Sequence, residues 1–493
     1  MVLSAPAVLL ALVPIWYVAD SALDAGWHTI KRTVFRERVA DLLGNTLQLC
    51  VLTMLACLVL GLATAWLVEC TDLPLRRVWA VLFVVPLAIP AFVNSYAWIS
   101  LTRSVSGLSG AVIVTALSYF PFVYLPASAA LRRLDPTLEE SGLSLGLGPV
   151  AVLWRVVLPQ LRPALFGGAL LVGLHALAEY GALSMLQFQT FTTAIVVQYQ
   201  SDGEAAPMLA GVLVLLGLLF VTVEVLARGR RRYSRTGFGT ARSRRETRLG
   251  VATLPVLTAC VGLVALALGV PLYAVGKWLA RDSGWEGSAV WDAVTSTLQL
   301  GVFGAVAAAV VAYPLAWAAV RGRGLVTTAA ERLPYLTSAL PGVVVALALV
   351  AAFADVDGLY QTTALTVAAY VMLFLPRALV NLRVAIAQSP PELEQAGRAL
   401  GVSGLPLLRR VTLPLIAPGV GAALAFVFLA VCTELTATLL LAPTGTTTLA
   451  TEFFTAADEL DYSAAAPYAA LMILVAAPVT YLLLRQHRRG HLP

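Results

Sequence analysis

Lysine is almost absent from this 493-residue chain: only Lys31 and Lys277 occur, and charged residues of all kinds make up 12%. Soluble domains carry about a quarter charged residues, so an ordinary cytosolic enzyme, a disordered protein and a nucleic-acid binder are all excluded. The same shortage excludes a P-loop, which needs G-x-x-x-x-G-K-[ST] so that its lysine reaches the phosphates. Lys277 follows Gly276 but precedes Trp278. Histidine is also sparse. His28, His175, His487 and His491 lack H-E-x-x-H spacing, so neither a catalytic centre nor a resident metal site is expected. The five cysteines (Cys50, Cys57, Cys70, Cys260 and Cys432) lie in or beside apolar runs without a C-x-x-C pair. They read as buried thiols, not as a disulfide framework.

What the chain has in excess is apolar residue, 59% of the total. Runs long enough to cross a bilayer fall at about 2–20, 44–69, 78–101, 110–131, 161–187 and 205–227. A second set falls at about 250–276, 294–320, 333–354, 361–384, 415–442 and 464–484. Met1–Ser4 offers no basic segment and no clean cleavage site follows, so the first run reads as a membrane helix, not a signal peptide. An all-α polytopic membrane protein of about twelve helices is expected. With the N-terminus in the cytoplasm, 26 of the 33 basic residues fall in inner segments, those of 377–410 among them. That asymmetry predicts both termini inside, although Lys31, Arg32, Arg36 and Arg38 break it locally. The stretch Arg228–Arg248 reads as a basic cytoplasmic linker in contact with anionic membrane lipid.

The two sets of runs are copies. Thr46-Leu47-Gln48-Leu49 recurs as Thr297-Leu298-Gln299-Leu300, Ala65-Trp66 as Ala316-Trp317, and Pro90 as Pro341. Residues 136–163 align with 391–418, identical at 12 of 28 positions. The expected organisation is therefore a first half over 1–228, a linker over 229–249 and a second half over 250–493. Six helices in each half make the repeats parallel.

The strongest repeat falls on inner loops, about 132–160 and 387–415, too long for mere connections. Each opens with helix-start chemistry, Asp135-Pro136 and Ser389-Pro390, the latter with capping-box spacing to Glu392. Glu139, Gly142 and Gly146 stand at i, i+3 and i+7, as do Glu394, Gly397 and Gly401. That spacing puts each trio on one helical face, where glycine lets another backbone approach closely. A short helix presented twice with the same face reads as a docking element for a two-fold partner.

This pattern, Glu-x-x-Gly-x-x-x-Gly followed by Leu158-Pro159 and Leu413-Pro414, resembles the "EAA" loop of type I ABC importer permeases. The chain is most similar to their fused, double-length ferric-iron group, which has phrases like Ala178-Glu179-Tyr180-Gly181 and Glu434-Leu435-Thr436-Ala437. Ser141 departs from the name-giving alanine. The resemblance implies the type I ABC importer permease fold in the bacterial inner membrane. It also implies two copies of a cytoplasmic ATPase carrying ATP and magnesium, and an extracytoplasmic solute-binding protein. Glu139, Gly142, Gly146, Leu158 and Pro159, with Glu394, Gly397, Gly401, Leu413 and Pro414, would then be coupling residues. The chain itself would bind no cofactor.

Glu179 and Glu434 are repeat equivalents, and carboxylates within spans normally face a cavity or bundle interior. Glu179 lies 18 residues beyond Leu161, about 27 Å at helical rise. Two readings stand: an acidic ring at the outer mouth of a cation pathway, or acids that cap polar loops. A hydrogen bond between His175 and Glu179 is expected, one turn apart. Asn94 and Gln187 read as pathway lining or as helix–helix hydrogen bonds. An ion-coupled secondary transporter of two parallel halves is the competing class. Thiamine, phosphonate and polyamine permeases compete on substrate.

Overall fold

The computed structural model describes residues 5–102, 104–134, 136–201, 205–228, 247–281, 287–322, 340–356 and 358–489. Most of linker 229–249, the cap residue Asp135 and the first part of run 333–354 lie outside the described residues. The chain is almost wholly helical, as the apolar runs require. Seven helices among the described residues are long and apolar enough to cross a membrane, or nine if each of two bent pairs is one span.

Two compact units form, and they divide the chain differently from the sequence repeat. One comprises 37–193 and 215–280; the other comprises 1–36, 194–214 and 281–493. Each unit thus contains the first helical segment of the other repeat.

In the unit built on 37–193, helix Glu37–Cys70 packs against Pro121–Arg133 and Leu158–Ala178. Lipid chains are as apolar as these side chains, so close fit substitutes for hydrophobic drive. Gly61 shows how close: a Cβ there would lie 2.6 Å from Val123 Cβ. Run 78–101 is not one span. It breaks into Arg76–Ala88 and Ala91–Leu101, bent by 90°, because Pro86 and Pro90 lack the N–H needed to continue the ladder. Gly107–Tyr119 and Pro121–Arg132 bend by 40° at a third proline, Pro121. Run 161–187 also stops early, at Ala178.

In the other unit, Gly287–Arg321, Thr363–Gln388 and Leu413–Cys432 pack together, and Ala5–Val34 lies on Gly342–Phe353. Helix Thr363–Gln388 corrects the count of inner-loop charge. Arg377 stands inside it, eleven residues before its end, which is about 16 Å at helical rise. The expected outer loop at Lys31–Arg38 shrinks in the same way: Lys31 and Arg32 belong to the last turn of one helix and Arg38 to the first turn of the next.

The repeated Thr-Leu-Gln-Leu has a structural reason. Thr46 Oγ1 accepts from the Phe191 amide at 3.2 Å, and Thr297 Oγ1 accepts from the Leu449 amide at 2.8 Å. Each threonine thereby satisfies a donor at the start of a helix, Phe191–Ser201 or Leu449–Asp458. The described end of the linker is also held. The Thr247 amide donates to Cys70 O at 2.8 Å and the Leu249 amide to Asp72 Oδ1 at 2.8 Å.

Candidate functional site: the paired loops and the acidic helix ends

Each repeated loop folds as a nine-residue helix, a sharp reversal and a second helical segment running into the membrane. The first helices are Pro136–Ser144 and Pro391–Ala399. The capping box at Ser389 does not form: Ser389 closes the preceding helix, and Pro390 is the N-cap.

Gly146 and Gly401 are not on the helical face that their spacing suggested. Both are left-handed, with φ of 83° and 81°, and they stop the helix. The Gly146 amide donates to Leu143 O at 3.0 Å, and the Leu147 amide to Gly142 O at 3.1 Å. Gly401 and Val402 make the same pair of bonds to Arg398 O and Gly397 O, both at 3.0 Å. This paired closure needs φ > 0 after the last turn, which is why glycine is there.

Gly142 and Gly397 face inward, onto their own loops. A Cβ on Gly142 would lie 3.3 Å from Val152 Cγ2, and one on Gly397 2.6 Å from Leu407 Cδ1. Glu139 is half-buried, and Glu394 is 4% exposed. The Glu394 Oε1 atom has no hydrogen-bond partner among the described residues. The Glu-Gly face therefore packs the loop against itself. What projects outward is leucine: Leu138 and Leu145 are 45% and 84% exposed, and Leu393 and Leu400 are 45% and 83%. Hydropathy alone cannot separate such leucines from lipid-facing ones. The available signal was a leucine directly before each glutamate and a second seven residues on, present in both copies.

Beyond the reversal, Leu153–Val157 and Leu408–Thr412 are π-helical turns. Leu158 and Leu413 follow as the first residues of the membrane helices, with Pro159 and Pro414 in the first turn. A proline there removes one amide and crowds the carbonyl four residues back, and the widened turn accommodates both.

At the far end of these helices lie the two acids. Leu158–Ala178 has 21 residues, about 31 Å, so Glu179 stands a membrane's thickness from the loop. Its Oε2 accepts from the Tyr119 hydroxyl and its Oε1 from the Ala182 amide, the latter at 3.0 Å. Glu434 is bound more fully. Oε1 accepts from the Ala437 amide at 3.0 Å; Oε2 accepts from the Thr438 amide at 3.0 Å and its hydroxyl at 2.9 Å. Both carboxylates cap short helices, Gly181–Met185 and Thr436–Leu441, where negative charge meets unsatisfied amides. A Cβ on Gly342 would lie 3.0 Å from Glu434 Oε1.

The other sequence candidates separate. His175, the expected partner of Glu179, turns Nδ1 to Leu171 O at 2.8 Å and meets the Phe122 ring at a tilt of 37°, with ring centroids 4.4 Å apart. Asn94 joins two helices through Nδ2 to Ser118 Oγ at 2.9 Å. Gln187 makes no such bridge among the described residues: it is an exposed turn residue with φ of 54°. Arg377, unmarked by sequence reasoning, holds its guanidinium 5.2 Å from the Phe374 ring centre. No group of three or more His, Cys, Asp or Glu among the described residues is arranged to hold a metal.

The family of binding-protein-dependent transport system inner membrane components matches residues 57–235 and again 304–489, the two copies that carry these loops. The chain belongs to this family. It is 38% identical over 483 residues to the Fe(3+)-transport system permease protein FbpB 2 of Haemophilus influenzae, covering 95% of this chain and 94% of that one. It is 23% identical to the ferric transport system permease protein FbpB of Actinobacillus pleuropneumoniae, over 78% of this chain and 60% of that one. Half-length similarity extends to the sulfate transport system permease protein CysW of a Synechocystis species, 25% identical over 44% of this chain and 86% of that one. This permease is thus a multi-pass inner-membrane transport subunit, not an enzyme. It works with a binding protein, and the ATPase is a separate subunit.

Proposed function

We propose that this permease forms the pathway of a ferric-iron importer by alternating access between inward- and outward-open states. The observation that carries the substrate is the 38% identity, over nearly the full length of both chains, to a protein named for Fe(3+) transport. In this reading twelve spans place both termini in the cytoplasm, with lipid around the bundle. Two ATPase copies, holding the ATP and magnesium, dock on the paired loops through Leu138, Leu145, Leu393 and Leu400. Glu139, Gly142, Leu158 and Pro159, with Glu394, Gly397, Leu413 and Pro414, keep each loop in shape to receive them. The permease itself carries no cofactor. A solute-binding protein delivers cargo on the opposite side.

The test is uptake of radiolabelled iron by cells expressing the permease with its ATPase and binding protein. Uptake is expected to stop on ATP depletion with the proton gradient intact, and to persist under excess thiamine, phosphonate or polyamine. Survival without ATP would replace this reading with an ion-coupled transporter. Competition by one of those solutes would replace the substrate.

Glu179 and Glu434 border this pathway in the same reading. The double substitution Glu179→Gln with Glu434→Gln is expected to lower iron uptake at unchanged membrane abundance. Undiminished uptake would remove both acids from the pathway.

A further inference from the structure

The turn that launches each docking helix is tied by charge to the long helix of the same unit. In one unit, Glu69 lies in the last turn of Glu37–Cys70. Its Oε1 accepts from Ser128 Oγ at 2.5 Å and from Arg132 Nε at 2.8 Å, and Arg132 Nη2 lies 2.7 Å away. Arg132 Nη2 also donates to Ser128 Oγ at 2.9 Å. Ser128 and Arg132 are on Pro121–Arg133, which ends just before docking helix Pro136–Ser144.

The other unit makes the same connection with opposite charge. Arg321 is the last residue of Gly287–Arg321. Its Nη2 donates to Ser389 O at 2.6 Å and Ile386 O at 3.2 Å. Those carbonyls end Thr363–Gln388, and docking helix Pro391–Ala399 begins two residues later. Here the arginine adds a donor at a helix end, where carbonyls outnumber the amides that could pair with them.

The residues are not repeat copies. Glu69 follows Trp66 by three and Arg321 follows the equivalent Trp317 by four, while Arg132 aligns with Ala387. What recurs is the place, reached by different chemistry. Elsewhere these helices meet through apolar and small side chains, whose non-directional contacts resist sliding weakly. A charge-assisted hydrogen bond is directional and fixes one geometry. Put at the launch point, it prevents the turn from absorbing a push delivered to the docking helix.

We propose that Arg321 and the Glu69–Ser128–Arg132 cluster are positioning residues. They are latches that carry displacement of each docking helix into the long helix of its unit. The proposal rests on the permease reading above, so the experiment first requires that the wild-type complex hydrolyse ATP and import cargo; failure there strikes that reading alone.

The readout is cargo transported per ATP hydrolysed, using the complete transporter in proteoliposomes with its binding protein. Arg321→Met is expected to keep bound ATPase and hydrolysis while transport per ATP falls about tenfold, as loss of a charged hydrogen bond allows. Arg321→Lys, which can still donate to both carbonyls, is expected to retain most coupling. Glu69→Arg and Arg132→Glu should each uncouple, and the two together should recover coupling by reversing the pair. An unchanged ratio in Arg321→Met, or no recovery in the reversed pair, would overturn the proposal. So would a parallel fall of ATPase binding, hydrolysis and transport, the mark of a purely structural role.

Discussion

Replacing Leu145 and Leu400 together with aspartate is expected to abolish ATPase co-purification and uptake while leaving the chain inserted in the membrane. Both side chains stand almost clear of the protein, 84% and 83% exposed, at the C-terminal ends of the equivalent loop helices Pro136–Ser144 and Pro391–Ala399. Nothing among the described residues covers more than a fifth of either side chain, so the substitution reports on a partner. Each leucine buried in a partner's groove is worth about 1.5–3 kcal/mol, so losing the pair lowers affinity by about a hundredfold or more. Either aspartate alone should weaken binding and leave one dock intact. The measurement is ATPase retained on affinity-purified permease, with membrane abundance as control. Wild-type retention in the double variant would move the dock elsewhere on the loops.

The second large effect is expected at Glu434. Glu434→Ala removes the acceptor for the Ala437 and Thr438 amides, while the Thr438 hydroxyl keeps the Glu434 carbonyl at 3.0 Å and the Tyr370 hydroxyl at 2.8 Å. Helix Thr436–Leu441 loses its cap. Each stranded donor costs about 1–3 kcal/mol in a protein interior, and membrane helices recover part of that through other partners, leaving about 2–4 kcal/mol. Glu179→Ala strands a set of the same size, the Tyr119 hydroxyl and the Ala182 amide, and should cost about as much. Glu434→Gln should cost less than either, since its carbonyl oxygen still accepts. Thermal unfolding of the purified permease in detergent ranks the three. Equal melting temperatures for wild type and Glu434→Ala would show that the cap carries no stability.

The helical architecture and the duplication were legible because each rests on a long signal. Apolar runs of membrane length have few alternative folds, and twelve identities in twenty-eight positions survive loop variation. Local geometry was legible only where one residue type has one use. Pro90 was in view as a repeat match, yet a hydropathy window averages across it, as across Pro121, and reports a continuous span where the backbone bends. Gly146 and Gly401 kept the i, i+7 spacing of a face while serving to stop the helix, since a nine-residue helix ends before its third turn. Arg377 was assigned to a loop because hydropathy drew the span to 384 while Thr363–Gln388 carries its charge inside. The latches were invisible for a different reason. Their residues are not repeated, so only the fold brings Glu69 to Arg132, 63 positions apart, and Arg321 to Ser389, 68 apart.

The exchange of first helices between the two compact units has a consequence for biogenesis. Ala5–Val34 packs on Gly342–Phe353, a segment made roughly 300 residues later, which at about 5–20 residues per second is tens of seconds of translation. Through that interval the opening helix lacks this neighbour, although Gly211, where a Cβ would lie 3.1 Å from Val18 Cγ1, is made sooner. It bears charge at its C-terminal end, Lys31 and Arg32. Cutting the chain at its basic linker should therefore not yield two self-sufficient proteins. The separate halves would need to be synthesised together, each supplying the helix that the other lacks.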